Sequence, residues 1–186
     1  MTKPGLIAGV AFGVLFCGLG IRARAGAGLE RGKDGYFHTG DGIRVKSLVV
    51  VKLKIYAIGH DMRELPATPT RQAVMEMDVD KRLSWRMLRD AGGDRLQGIL
   101  RDGFARNGFG DAARISAFLE PFRRGLRENQ WVVISYASQT KAITVSVEGA
   151  SSVSIVGLDF MKATWGMWFG NTEDPALGDA LIARLR

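Results

Sequence analysis

A long β-rich run, residues 43–59, constrains the fold of this chain more than any other part of its sequence. Its odd positions are nearly all apolar: Ile43, Val45, Val49, Val51, Leu53, Ile55 and Ala57. This period of two predicts a strand with its odd face in a core, and it places Arg44 and Tyr56 together on the other face. A turn signal at residues 39–42 predicts that a short strand, residues 36–38, forms a hairpin with this run.

Arg44 and Tyr56 are the candidate binding residues of this run. A guanidinium can hold a carboxylate or a phenolate through two hydrogen bonds, and a tyrosine hydroxyl can add one more. A straight strand, at about 3.3 Å per residue, would hold the two side chains roughly 40 Å apart. We therefore expect a sharp bend or bulge between Ser47 and Lys52 if both contact one ligand. The alternative is an exposed strand arginine that pairs with a nearby acid.

The first 25 residues have the pattern of a secretory signal peptide. Lys3 supplies the positive start, residues 6–21 are apolar and uncharged, and Ala23-Arg24-Ala25 forms a small-residue cleavage site. The apolar stretch is shorter than the ~20 residues that a spanning helix needs, so an uncleaved anchor is the less favoured alternative. We expect a periplasmic or secreted protein with no stable membrane span after cleavage.

Processing would change the charge and the cysteine content of the chain. Losing Lys3, Arg22 and Arg24 lowers the net charge from +7 to +4, and the basic residues are scattered rather than clustered, which argues against nucleic-acid binding. Cys17, the only cysteine, would also be removed, and the large Phe16 before it disfavours lipid attachment there.

No metal or cofactor signature is present in the sequence. His38 and His60 are the only histidines, and neither is spaced with another ligand as in a metal site. Each is interpreted as a surface histidine, with haem ligation or general-base chemistry as the alternative. Asp61 and Arg63 are interpreted as ordinary charges at the exit of a strand.

The rest of the sequence predicts one α+β domain over residues 36–186, after a flexible lead-in at residues 26–35. The expected elements are helices at 70–77, 96–104, 111–126 (interrupted by Pro121), 158–169 and 174–185, and strands at 81–88, 131–136, 142–147 and 152–156. Trp165, Met167 and Trp168 make the fourth helix apolar almost all round, which predicts core packing, with a ligand cavity as the alternative.

Four segments of the sequence resemble the chalcone isomerase-like family. They are Gly42-Ile43-Arg44, residues 52–59, residues 113–122, and Trp168-Phe169-Gly170 followed by Asp174-Pro175 and Leu177. The resemblance runs from about Tyr36 onward. It implies an open-faced β-sandwich, in which a large antiparallel sheet is covered by a layer of helices with a ligand cleft between them.

The resemblance carries the function over only in part. In the plant isomerases an Arg and a Thr of the β segment, with a Tyr and an Asn of a later helix, stabilise a flavonoid phenolate during ring closure. Arg44 matches the Arg, but Tyr56 occupies the position of the Thr. The later Tyr and Asn have no match, because no Tyr occurs between Tyr56 and Tyr136 and residues 93–106 contain no Asn. Since each lost oxyanion donor typically costs ~3 kcal/mol of barrier, we expect no useful chalcone cyclisation.

An Arg followed by a Tyr is similar to the pair that grips a carboxylate in the non-catalytic fatty-acid-binding members of the fold. The sequence therefore predicts a non-catalytic protein that binds a small amphipathic, fatty-acid-like ligand through Arg44 and Tyr56. The alternatives are an intramolecular lyase or isomerase acting on a flavonoid-like or unknown substrate, and haem binding through His38 or His60.

Overall fold

The computed structural model describes residues 28–48 and 51–186. In this part of the chain, six strands form one antiparallel sheet in which each strand pairs with the next along the sequence. The strands are β1 (Phe37–Leu48), β2 (Val51–Met62), β3 (Lys81–Met87), β4 (Trp131–Ala137), β5 (Ala142–Val147) and β6 (Val153–Val156). The predicted signal peptide, with Cys17, lies outside the described residues.

Helices pack on one face of this sheet. They are α1 (Arg71–Glu76), α2 (Gly93–Arg106), α3 (Ala112–Leu119), α4 (Leu158–Phe169) and α5 (Pro175–Ala180), with 3-10 turns at Glu120–Phe122 and Ala183–Leu185. Thr70, Asp111 and Asp174 cap α1, α3 and α5, each accepting a hydrogen bond from the amide three residues later. The α+β class and the open-faced sandwich are thus confirmed.

Two predicted helices differ in length from the observed ones. Pro121 splits the predicted helix over 111–126, because α3 ends at Leu119 and Pro121 lies in the 3-10 turn that follows. The last helix ends at Ala180 instead of reaching Leu185, and the chain continues into a short 3-10 turn.

The core lies between the sheet and the helices. Alternate side chains of β3, β4 and β5 are buried under the helical layer: Leu83, Trp85, Met87, Val132, Ile134, Tyr136, Ile143, Val145 and Val147. Helix α4 runs through the middle of this layer, and its Phe160 and Trp165 are fully buried. The prediction that α4 is mainly a core helix is confirmed.

The run over residues 43–59 is a hairpin and not the single strand that the sequence predicted. The chain reverses between Leu48 and Val51, and the expected turn at residues 39–42 lies inside β1. Gly40 and Gly42 are required there for another reason: a Cβ would come within 2.2 Å of the Ala180 carbonyl oxygen at Gly40. These glycines let the C-terminal segment rest directly on the backbone of β1.

The prediction that the odd positions face the core was also wrong. The side chains of β2 that are buried under the helices are Ile58, His60 and Met62, which alternate in step with Tyr56, whereas Ile43 is 44% exposed. The pairing register explains part of the error, because it shifts by one residue just after the Arg44–Tyr56 pair. Beyond such a bulge, the odd-numbered and even-numbered residues of the bulged strand exchange faces of the sheet.

Candidate ligand-binding site

Arg44 and Tyr56 are direct partners in the register of β1 and β2. Side chains directly opposite each other on one face of an antiparallel pair lie about 5 Å apart at their Cβ atoms. The bend that the sequence required is therefore the hairpin itself. Both side chains line one cavity under the helices.

This cavity lies between the β1–β2 hairpin, α2, the end of α4 and the loop that leads into α5. Its apolar lining comes from Ile99, Leu100, Met167, Trp168 and Leu177. Its volume is about 60 Å³, far below the ~300–1,000 Å³ of pockets that hold drug-sized ligands. A ligand of that size would need the side chains that line the cavity to move.

The Tyr56 hydroxyl is a neutral group at the cavity. It accepts a hydrogen bond of 3.2 Å from the Trp168 indole Nε1, and its ring packs against Trp85 at a centroid distance of 5.7 Å. Burial raises the pKa of Tyr56, so the hydroxyl keeps its proton at physiological pH. Among the described residues, no hydrogen bond uses that proton, which leaves it available to a ligand oxygen.

The Arg44 guanidinium is bound by two carboxylates. Its Nη1 donates to Asp174 Oδ2 and its Nη2 to Glu173 Oε2, both at 2.9 Å. Its side chain is 22% exposed, so the pairs are partly shielded from water. The structure thus contains the acidic pairing that the sequence left open as an alternative, and it places that pairing inside the cavity.

A second arginine, Arg106 at the end of α2, completes the charged lining. Its Nη1 donates to Glu173 Oε1 at 2.8 Å, so that Glu173 bridges Arg106 and Arg44. The Nε atom of Arg106 is buried and has no hydrogen-bond partner among the residues that the structure describes. Arg106 was missed from the sequence, because an arginine at the end of an amphipathic helix is usually a solvated charge.

Helix α2 brings neither a tyrosine nor an asparagine to the described cavity lining. The nearest asparagine in sequence, Asn107, follows the helix, donates to the Gly103 carbonyl, and both accepts from and donates to the backbone of Asn171. It therefore fastens α2 to the loop before α5. The two helix-borne donors that the plant isomerases use have no counterpart among the residues that line this cavity.

The fold agrees with comparisons against known proteins. The family model described as chalcone isomerase-like matches residues 36–181. The chain belongs to the chalcone isomerase-like family. The crystal structure of a fatty-acid binding protein from Arabidopsis thaliana is similar, with a TM-score of 0.62 and 17% sequence identity over 80% of this chain and 87% of that one. A search of curated protein sequences finds no match.

His60 lies at the centre of this chalcone isomerase-like domain, and its interpretation as a surface residue was wrong. It is fully buried, its Nδ1 lies 2.7 Å from Thr39 Oγ1, and its Nε2 accepts from the Trp165 indole at 3.0 Å. Thr39 Oγ1 also donates to the Leu181 carbonyl at 2.7 Å, so the hydroxyl must accept from His60 Nδ1. Both ring nitrogens are thus used within the protein, which opposes haem ligation by His60.

The charge state of His60 follows from these bonds. Protonation would place an N–H against the indole N–H of Trp165. Burial, with the nearby positive charges of Lys81 and His38, lowers the pKa of His60 well below its ordinary value of 6.5. His60 is therefore a neutral residue that ties β2 to α4 and, through Thr39, to the segment after α5.

His38 lies on the sheet face that the helices leave uncovered. Its Nδ1 lies 2.8 Å from Asp61 Oδ1 and its Nε2 2.7 Å from Asp41 Oδ2. Partial burial lowers the pKa of His38, but the two carboxylates outweigh it and the pKa is raised above 6.5. Asp61 is also bound by Arg82 Nε at 2.8 Å and is only 9% exposed, so it is not the ordinary surface charge that the sequence predicted.

The apolar candidates of α4 divide between the core and the cavity, and Arg63 lies in neither. Met167 and Trp168 line the cavity, whereas Trp165 is core and binds His60. Arg63 is half exposed and stacks on Tyr36, with its guanidinium carbon 4.8 Å from the ring centroid.

Two negative findings concern the described residues only. In this part of the chain no three His, Cys, Asp or Glu side chains form a group that could hold a metal ion. Over the same residues, no helix has the length and apolar character needed to cross a membrane.

Proposed function

We propose that this protein is a non-catalytic binding protein for a small amphipathic ligand with a carboxylate head, such as a fatty acid. The observation that carries the proposal is the position of Arg44 and Tyr56, paired across two strands with both side chains lining one partly apolar cavity. The similar Arabidopsis structure, which is named as a fatty-acid binding protein, supports the same ligand class.

The chemistry of the two residues suits a carboxylate. The Arg44 guanidinium can donate a charge-assisted hydrogen bond to a carboxylate group. Tyr56 remains protonated and can donate another, while the indole of Trp168 holds the hydroxyl in place. An anionic head bound here would keep the partly buried Arg44 paired with a negative charge. Leaving that arginine unpaired would cost free energy.

The apolar lining suits an alkyl tail. Ile99, Leu100, Met167 and Leu177 give the tail contacts, and the unbranched thioether of Met167 can change rotamer to make room. Each methylene that leaves water contributes roughly 0.8 kcal/mol. Affinity should therefore rise with chain length until the cleft is filled.

A non-catalytic role follows from the polar lining. Among the described residues, the cavity holds one tyrosine and no asparagine, so a phenolate nucleophile would meet Arg44 without the helix-borne donors that assist ring closure in the isomerases. We expect chalcone to disappear no faster with the protein than without it. Loss of chalcone absorbance that Arg44→Ala abolishes would favour the isomerase alternative instead.

Retention and titration of a fatty acid test the proposal. The purified protein should carry fatty acids that mass spectrometry detects after denaturation, and the delipidated protein should bind dodecanoate in a calorimetric titration. Arg44→Ala should reduce both, whereas Arg127→Ala, at a side chain that is 87% exposed and remote from the cavity, should change neither. Equal retention by the wild type and Arg44→Ala would remove the role assigned to Arg44.

We also propose export to the periplasm or the medium, on the basis of the signal-like residues 1–25. Mass measurement of the protein purified from its own cells checks this. Cleavage after Ala25 predicts a chain that begins at Gly26, and a full-length chain in the cytoplasm would contradict it.

A further inference from the structure

We propose that Arg106 and Arg44 together form the head-group site, and that Glu173 occupies it as an internal carboxylate until the ligand displaces it. The inference rests on the proposed function, since it concerns how the same cavity receives a carboxylate. It adds a second binding arginine and a competing side chain, neither of which the sequence pattern or the comparisons point to.

The bridging geometry of Glu173 carries the inference. One carboxylate oxygen lies 2.9 Å from Arg44 Nη2 and the other 2.8 Å from Arg106 Nη1. A carboxylate therefore already lies where the two guanidinium groups converge, with one oxygen for each. The carboxylate of a fatty acid has the same size, charge and pair of acceptor oxygens, so it can replace that of Glu173 without moving either arginine.

Glu173 is free to leave, whereas the adjacent Asp174 is not. Asp174 accepts from the Leu177 amide through Oδ1 at 3.1 Å while its Oδ2 binds Arg44, so it is both the cap of α5 and an ion-pair partner. Among the described residues, Glu173 binds only the two arginines, and its side chain is 51% exposed. Rotation of this one side chain into water would open the bridge.

The loop around Glu173 is fastened on its other side. The Asn107 amide binds both the N–H and the carbonyl of Asn171, and the Asn171 side chain donates to the Arg106 carbonyl at 3.1 Å. These bonds hold the loop and the end of α2 together. The exchange therefore needs a side-chain rotation and no movement of the loop backbone.

Charge balance explains why Glu173 must leave for a ligand to bind. Two arginines face two carboxylates, Glu173 and Asp174, in a partly shielded cavity. A ligand carboxylate added to this set would be a third anion beside two cations, whereas exchange with Glu173 keeps the balance.

A calorimetric titration of the delipidated full chain with dodecanoate tests the inference. Glu173→Gln keeps the size of the side chain but removes the competing charge, so it should bind dodecanoate roughly tenfold more tightly than the wild type. Arg106→Gln should bind it roughly tenfold more weakly. Glu120→Gln, a similarly exposed glutamate paired with Arg123, is the matched control and should leave the affinity unchanged.

Methyl dodecanoate separates charge competition from a change in structure. Glu173→Gln should leave the affinity for this uncharged ester within about twofold of the wild type, since a hydrogen bond is worth at most a few-fold there. Equal tightening of the acid and the ester would overturn the charge-competition mechanism. In the double variant Glu173→Gln/Arg106→Gln, most of the dodecanoate affinity that Glu173→Gln alone gains should be lost.

The outcomes distinguish this inference from the proposed function. If the wild type binds dodecanoate and Arg44→Ala weakens it, but Glu173→Gln and Arg106→Gln both bind as the wild type does, only the present inference fails. If no variant binds dodecanoate, both fail. Binding by Glu173→Gln with none detectable in the wild type would support both.

Discussion

Arg44 and Tyr56 are cross-strand partners in the β1–β2 hairpin, and Trp168 of α4 holds the Tyr56 hydroxyl from the helical layer. The pair therefore lies on the sheet, while Arg106 and the two acids come from α2 and the loop before α5. Two of the three proposed donors thus share one hairpin, and the competing acid, Glu173, is a half-exposed side chain of a loop.

Removing the Tyr56 hydroxyl should weaken carboxylate binding without unfolding the protein. Tyr56→Phe keeps the ring against Trp85 but removes the donor to the ligand, and a hydrogen bond to a charged group is worth about 1.5–3 kcal/mol. We expect dodecanoate affinity to fall by roughly tenfold or more in a calorimetric titration. Tyr36→Phe, on the uncovered face, is the control, and an unchanged affinity in Tyr56→Phe would exclude the hydroxyl from the site.

Asp174 and Glu173 should differ in their effect on stability. Asp174→Ala removes the N-cap of α5 as well as a partner of Arg44, so we expect the free energy of unfolding to fall by about 1–2 kcal/mol. Glu173→Gln should change it by no more than about 0.5 kcal/mol, since its ion pairs are half exposed. Urea unfolding measures both, and equal losses would contradict the assignment of Asp174 as the structural member of the pair.

The two histidines should give opposite pH dependences. The pKa of His60 is lowered in the folded state, so the unfolded chain takes up the proton first and stability falls as the pH drops below 6.5. The pKa of His38 is raised, so its contribution is present below 6.5 and is lost as the pH rises through the folded-state pKa.

Unfolding measured at pH 5.5 and 7.5 separates these two terms. The destabilisation caused by His60→Gln should be larger at pH 7.5, and that caused by His38→Gln should be larger at pH 5.5. A His60→Gln effect that is the same at both pH values would show that His60 does not titrate differently in the two states.

Lys81 should add a third pH-dependent term at alkaline pH. Its Nζ is buried, donates to the carbonyls of Val74, Met75 and Met77 at the end of α1, and lies over the Trp165 ring. Burial lowers the pKa of Lys81 to about 7. Because the unfolded chain retains the proton up to about pH 10.5, stability should rise between pH 7 and pH 10.

Comparison with Lys81→Met isolates that term. Relative to the variant, the free energy of unfolding of the wild type should rise by on the order of 3 kcal/mol between pH 7 and pH 9.5. A difference that does not vary with pH would mean that the three carbonyls keep the ammonium group charged throughout.

The site could be predicted from the sequence only where its residues follow a local pattern. Arg44 and Tyr56 are an even number of positions apart in a β-rich run, which predicted that both lie on the same face. The sandwich fold was predicted from the segments that resemble the family. The hairpin was missed because residues 48–51 are Leu-Val-Val-Val, with no Gly, Pro or Asn to mark a turn, while Gly40 and Gly42 suggested one in the wrong place.

Other features could not be found because their partners are distant in sequence. His60 meets Trp165 across 105 positions, and a lone histidine next to a strand end gives no sign of that partner. Arg106 and Glu173 are 67 positions apart, one at a helix end and one in a short loop, where charged residues are usually solvated.

The pairing of Arg44 with Asp174 joins the first strand of the sheet to the last helix across 130 positions of the chain. Such a site has no local precursor during synthesis, because β1 emerges from the ribosome long before the loop that faces it. The cavity is then complete only when the C-terminal segment, which supplies Glu173, Asp174 and Leu177 of its lining, has closed over Gly40 and Gly42. The donors Arg44, Tyr56 and Arg106 are thus synthesised before the acid that competes for them and before the last apolar contact for a ligand tail.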